Sequence, residues 1–164
     1  MITNPRTGEE ITFAVRTPEV LAMDACWTRP GQRAVEHLHP GMEERWTVVE
    51  GRAAFRIDGV EREAGPGETV VAPPGTLHLA WNPTEEPVRV RIEMRPALRW
   101  AEFTERLFAG EDPIQLLREY PEEIRLPERG APAPAQLSAP AASASSRRRS
   151  APPGAPRRMP PAPP

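Results

Sequence analysis

Three histidines, His37, His39 and His78, make up the whole imidazole complement of this 164-residue chain. His37 and His39 are separated by one residue within a stretch, residues 33–39, that reads as a β-strand. On a strand, residues i and i+2 share a face with Cα atoms roughly 7 Å apart, so two imidazoles can converge on one metal ion. Glu44 follows five residues after His39, past the Pro40-Gly41 turn, and a carboxylate on the neighbouring strand can face the same point. His78 arrives much later, behind Pro73-Pro74-Gly75, at the start of another strand. Imidazoles and a carboxylate are the ligand types of a divalent transition-metal centre.

Such a centre needs strands to position it, and the first hundred residues supply them. Val88, Val90, Ile92 and Met94 alternate with Arg89, Arg91, Glu93 and Arg95, a period of two that marks one buried and one wet face. Ala53, Phe55 and Ile57 alternate with polar or small neighbours and lead into Asp58-Gly59, a tight hairpin signal. Gly65-Pro66-Gly67 separates strands near residues 60–63 and 68–72. Further strands are expected at residues 11–16, 20–28, 33–39, 45–49 and 77–82, about nine in all, a spacing that predicts an all-β sandwich or barrel. After Pro96 the period changes. Trp100, Phe103 and Leu107 share one helix face, Gly110 ends the helix, and residues 113–120 read as a second short helix with Asp112 as N-cap. The helices are expected to cover an open flank of the barrel or a subunit contact.

Charge divides the chain. Residues 1–130 carry sixteen arginines against all 23 acidic residues, and residues 131–164 carry five arginines and no acid. The second part holds ten prolines and ten alanines, with only Leu137 and Met159 as sizeable apolar side chains. Too little apolar surface is available there to offset ordering entropy. The expected organisation is therefore one domain over residues 1–128 and a disordered tail over 129–164. The single cysteine, Cys26, excludes an intramolecular disulfide scaffold and reads as a small core residue. The opening residues lack a basic-then-apolar signal pattern, and no apolar run approaches the ~20 residues of a membrane span. A cytoplasmic location without membrane attachment is the expectation. The acidic domain argues against a nucleic-acid partner.

The full spacing can now be read. Gly31, His37, His39, Glu44 and Gly51 are separated by five, one, four and six residues; Gly67, Pro73, Gly75, His78 and Asn82 by five, one, two and three. This resembles the two-part signature of the cupin superfamily at all ten defined positions. The chain looks like a small single-domain bacterial cupin, a type-2 conserved barrel. The resemblance implies a conical antiparallel β-barrel, a double-stranded β-helix akin to a jelly roll. It also implies one divalent transition metal held inside by His37, His39, Glu44 and His78. Glu43 competes with Glu44, but the six-residue gap to Gly51 selects Glu44, which shares a strand face with Trp46 and Val48. The family makes Fe(II), Mn, Ni or Zn the reasonable metals.

An octahedral ion with four protein ligands keeps two positions free, which suits catalysis. No fourth histidine is present to act as a base, so proton transfer falls to a carboxylate or to metal-bound water. Resemblance to the flavonol-cleaving cupin dioxygenases implies Glu44 as the catalytic group, both ligand and base; the alternative is a plain ligand role, and Glu36 and Glu43 are expected on the wet face. Trp46, Trp81 and Met94 are candidates to line the cavity. The expected function is a metal-dependent enzyme acting on a small organic molecule, first of all a dioxygenase. The alternatives are a redox-neutral isomerase or polyketide-type cyclase, and a non-catalytic protein that binds or senses a small ligand. A homodimer is expected from the resemblance and from the apolar helix face.

Overall fold

The computed structural model describes residues 1–127. The tail expectation for residues 129–164 falls outside them. Ten strands precede two helices: β1 (Ile2–Thr3), β2 (Glu9–Arg16), β3 (Leu21–Trp27), β4 (Gly31–Gln32), β5 (Glu43–Glu50), β6 (Ala53–Ile57), β7 (Val60–Ala64), β8 (Thr69–Ala72), β9 (His78–Asn82), β10 (Val88–Arg95), α1 (Trp100–Phe108) and α2 (Pro113–Glu119). Every strand pair is antiparallel, as the short turns require.

One sheet runs β1-β2-β3-β10-β5-β8 and the other β4-β9-β6-β7. Each carries its own ladder, and the inward side chains of both meet in one core. Trp27 from β3 and Trp46 from β5 pack on Phe55 of β6, with ring centroids 6.3 and 5.3 Å apart. Burying an aromatic of this size contributes about 1.5–3 kcal/mol. The alternation read in β10 is realised: Val88, Val90, Ile92 and Met94 are buried and the arginines between them are exposed. Asp58 and Gly59 both take positive φ at the β6–β7 turn, which that hairpin geometry needs.

Two expectations need correction. Residues 33–39 are not a regular strand. Only Gly31–Gln32 pair with β9; thereafter His37 bridges His78 and Leu38 bridges Arg125. The backbone is shared between two partners, so no ladder can lengthen along either. Cys26 is only partly buried, because Leu21, Met23, Ala25 and Trp27 take the inward face of β3 and leave it on the outer one.

The helices fold back onto the same chain. Trp100, Ala101 and Leu107 pack against the barrel core, and Phe103 joins Leu116, Tyr120 and Ile124 in a second cluster. Asp112 caps α2 as read, accepting a hydrogen bond from the Ile114 amide at 3.0 Å. The apolar face of α1 thus packs on the barrel and on α2, with Trp100 and Leu107 partly buried. No helix among the described residues is long and apolar enough to cross a membrane.

Candidate metal centre

His37 and His78 sit opposite each other on facing segments, joined by paired backbone hydrogen bonds of 3.1 and 2.8 Å. His39 follows two residues after His37, and its carbonyl accepts from the Gly75 amide at 2.8 Å. Gly75 holds φ +75°, a conformation a side chain resists, so the loop that delivers His78 is pinned to the segment that carries His39. Glu44 enters from β5, where Glu44, Trp46 and Val48 point inward. Glu43, one step away, turns outward and accepts from Arg45 at 2.9 Å. Glu36 likewise faces Arg56, 3.8 Å away.

The four side chains converge. One ligand atom from each of His37, His39, Glu44 and His78 lies within 4.8 Å of the others, and all four residues are buried. Each histidine has one ring nitrogen occupied by a backbone carbonyl: His37 Nδ1 donates to Val35 at 2.7 Å, His39 Nδ1 to Glu123 at 2.6 Å, and His78 Nδ1 to Thr76 at 2.9 Å. These bonds fix the tautomer and leave all three Nε2 atoms as potential donors to a metal. His39 Nε2 lies 2.9 Å from Glu44 Oε2. His78 Nε2 lies 3.1 Å from the same oxygen, in electrostatic contact with it, and is buried without a well-formed hydrogen bond. Such an atom costs about 1–3 kcal/mol unless something satisfies it. A divalent cation between the three nitrogens and the carboxylate would do so, and the residues fit that ion.

The electrostatics favour an ionised Glu44 beside a neutral His37. Burial, reinforced by the neighbouring His78 and His39, lowers the His37 pKa to about 3, so its ring stays neutral at physiological pH. Burial by itself would raise Glu44, but the imidazoles of His39 and His78 outweigh it and hold the carboxyl well below its usual range. Burial opposes charge on His78 too, and the adjacent Glu44 carboxylate reverses that and raises its pKa. The cluster therefore offers one anionic oxygen and three imidazoles, a set suited to borderline divalent ions.

A cavity of about 430 Å³ opens beside the cluster, with His37, Glu44 and Trp46 on its wall. Trp81 and Met94, also expected there, do not line it; Met94 is fully buried in the core. Trp100, Phe103 and Leu107 of α1 close one side. The Trp100 ring stands edge-on to His39 at 4.7 Å. Tyr120 is buried in the helix cluster with its hydroxyl held by Arg106 at 3.2 Å.

Sequence reading missed three residues around the site. Glu123 lies far from the motif and acts through its backbone carbonyl, which leaves no side-chain signal. Trp27 pairs with Glu9 across β2 and β3, and its indole donates to Glu9 Oε1 at 2.9 Å. The signal for Glu9 was an acid at the inward register of Ile11, where an apolar residue is the rule.

Residues 28–94 match the family model described as a cupin domain. A stretch of 67 residues is 34% identical to the mannose-1-phosphate guanylyltransferase of Escherichia coli (strain K12), covering 41% of this chain and only 14% of that protein. The fold is similar to KdgF from Halomonas sp., with 23% identity, a TM-score of 0.53 and coverage of 58% of this chain and 86% of that one. It is also similar to an RmlC-like cupin from Shewanella frigidimarina NCIMB 400, with 22% identity, a TM-score of 0.55 and coverage of 62% and 87%. At these identities the two structures speak for the fold alone. The match spans both halves of the histidine pattern, and the two-sheet fold is similar to that of solved cupins, so residues 28–94 of this chain are similar to a cupin domain.

Proposed function

We propose that this protein is a metal-dependent enzyme acting on a small organic molecule held in the cavity beside His37 and Glu44. The observation that carries the reading is the buried convergence of three imidazoles and one carboxylate, with one nitrogen at its centre lacking a well-formed hydrogen bond. A bound divalent ion would supply Lewis acidity toward a carbonyl or enol oxygen, or a site for O₂. The protein's own contribution is to hold the ligand nitrogens in fixed tautomers, to exclude water with Trp46, Trp100 and Leu107, and to orient an apolar substrate body against those walls. Oxygen-dependent cleavage, the dioxygenase reading, comes first. A second reading, redox-neutral isomerisation or cyclisation, is favoured by the additional buried carboxylate of Glu9 on the same wall.

Elemental analysis of the purified protein tests the centre. Close to one transition-metal ion per chain is expected after reconstitution with iron, manganese, nickel or zinc, and His37→Ala or His78→Ala should lose most of it. No metal in the wild type would remove the reading. An oxygen electrode, run over enolic and aromatic compounds with iron-, manganese- or nickel-loaded protein, then separates the two reactions. Uptake of O₂ supports the dioxygenase, turnover without uptake supports the isomerase, and binding without turnover leaves a ligand-binding protein.

A further inference from the structure

Glu9 begins β2 at the inward register, where its neighbours on that face are Ile11 and the cross-strand partner Trp27. The residue is only 6% exposed. Among the described residues one oxygen, Oε1, is held by the Trp27 indole at 2.9 Å, and that bond fixes the direction of the carboxyl group. The side chain lines the same cavity as His37, from the segment that bridges β9, and Glu44, from β5. A buried carboxylate is costly and is retained where it has a partner or a task. A full ion pair would be the structural explanation. Arg33 is the nearest candidate partner, but its Nε and Nη2 are committed to the backbone carbonyls of Arg29, Pro30 and Gly31. Its Nη1 is buried and unpartnered, so the guanidinium attracts Glu9 without bonding it.

We infer that Glu9 is a catalytic proton-transfer group, facing the metal-binding cluster across the cavity and acting on carbonyl- or enol-bearing substrates. This rests on the proposed function, because the substrate must be anchored at the cluster. The step is redox-neutral. The Glu9 carboxylate takes a proton from the carbon beside a carbonyl. The C–H bond breaks, an O–H bond forms on Glu9, and the electron pair stays on the substrate as an enolate. Return of the proton to the same or a neighbouring carbon restores the carboxylate.

The setting of Glu9 matches the task. Burial raises its pKa to about 7; the Trp27 hydrogen bond and the Arg33 charge oppose that rise, and the Glu44 charge adds to it. Arg6 also faces the cavity. A base poised near neutrality transfers protons in both directions at working pH.

The probe is 2-oxobutanoate, which can chelate a divalent ion through two oxygens and carries exchangeable hydrogens on C3. Full-length, zinc-loaded protein in D₂O is followed by proton NMR for loss of the C3 signal. The wild type is expected to accelerate exchange over zinc-free protein, with a rate that rises with pH to a plateau above about 7. Glu9→Gln should lower the rate ~10²–10⁴-fold and abolish the inflection. Glu9→Asp should retain an intermediate rate. Glu10→Gln, one register step outward, should match the wild type. Trp27→Phe provides an arm that leaves Glu9 in place: loss of the indole bond should move the inflection to higher pH, which a merely structural role would not do. Zinc is measured in every sample. Zinc-loaded wild type without exchange, or Glu9→Gln with the wild-type rate and inflection, would overturn the role of Glu9 while leaving the metal centre standing. Wild type that holds no zinc would bring both down.

Discussion

Glu44 and Glu9 are two buried carboxylates with opposite environments, and they should answer mutation in opposite ways. Glu44 is surrounded by imidazoles that favour its anion. Glu44→Gln removes the charge that balances a bound cation, so metal loading should fall in elemental analysis, while Glu43→Gln, which only frees Arg45, should leave it unchanged. If Glu44→Gln instead kept its metal and lost ~10²–10⁴ in turnover, the base role would be its main one. Glu9 is a cost to the fold. Its folded pKa, about 7, exceeds its unfolded value near 4.5. Below the unfolded value both states are protonated and nothing is lost; as pH rises the unfolded chain ionises first, and the full penalty is present above about 7. The shift corresponds to about 3 kcal/mol, an order-of-magnitude figure. Metal-free Glu9→Gln should therefore melt above wild type at pH 8, with the difference shrinking toward pH 4. Equal melting curves across that range would mean that Glu9 is not buried as an acid. The convergence of His37, His39, Glu44 and His78 was legible because the histidines occur nowhere else and the glycine spacing fits the pattern. Glu9 was not, because a single acid at an inward register looks like an ordinary surface residue until its strand partner is known.

At the scale of elements, a strand with strict alternation could be read from the sequence, as β10 shows; β6 does not keep the alternation read for it, because Ala54 is buried beside Ala53 and Phe55 while Ile57 is only partly buried. The segment from Arg33 to His39 could not be read, since its pairing is decided by chain that comes much later: β9 and the turn ending at Arg125. That turn also ties the helices to the metal centre. The Glu123 carbonyl holds His39 Nδ1, its side chain accepts from the Arg99 amide at 3.2 Å, and Trp100 packs on the His39 ring. Outer partners of this kind are worth roughly 10–100-fold in metal affinity. Leu116 is fully buried at the centre of the cluster that seats this turn. Leu116→Ala should cost about 2–5 kcal/mol. The loss should fall first on the helices, because Leu116 belongs to the smaller cluster, which meets the barrel core through Trp100 and Leu107. Metal affinity measured by competition with a chelator should then drop about 10–100-fold, in line with the loss of an outer partner. Unchanged affinity in a variant with loosened helices would show that the turn is a bystander.

At the scale of the whole molecule, the domain closes on its own residues. Together the two core clusters run from Ile2 to Ile124, and Arg125 forms a backbone bridge with Leu38. The free sheet edges are short or charged: β1 has two residues, β8 has four, and β7 carries Glu61, Arg62 and Glu63. The α1 face, one of the reasons for expecting a second copy, is filled by barrel and α2. Homodimerisation is therefore proposed from family resemblance alone, and light scattering at micromolar concentration tests it, a monomer defeating it. The same samples decide the domain boundary. Residues 131–164 contribute five arginines and no acid, and three acids late in the described residues hold local partners: Glu111 and Glu119 engage Arg106, and Glu122 engages Arg125. A chain ending at Gly130 should keep the melting temperature, the metal content and the mass per particle expected for its shorter subunits. A melting point several degrees lower, or loss of metal, would show that the arginine-bearing segment packs on the domain and that the boundary lies elsewhere.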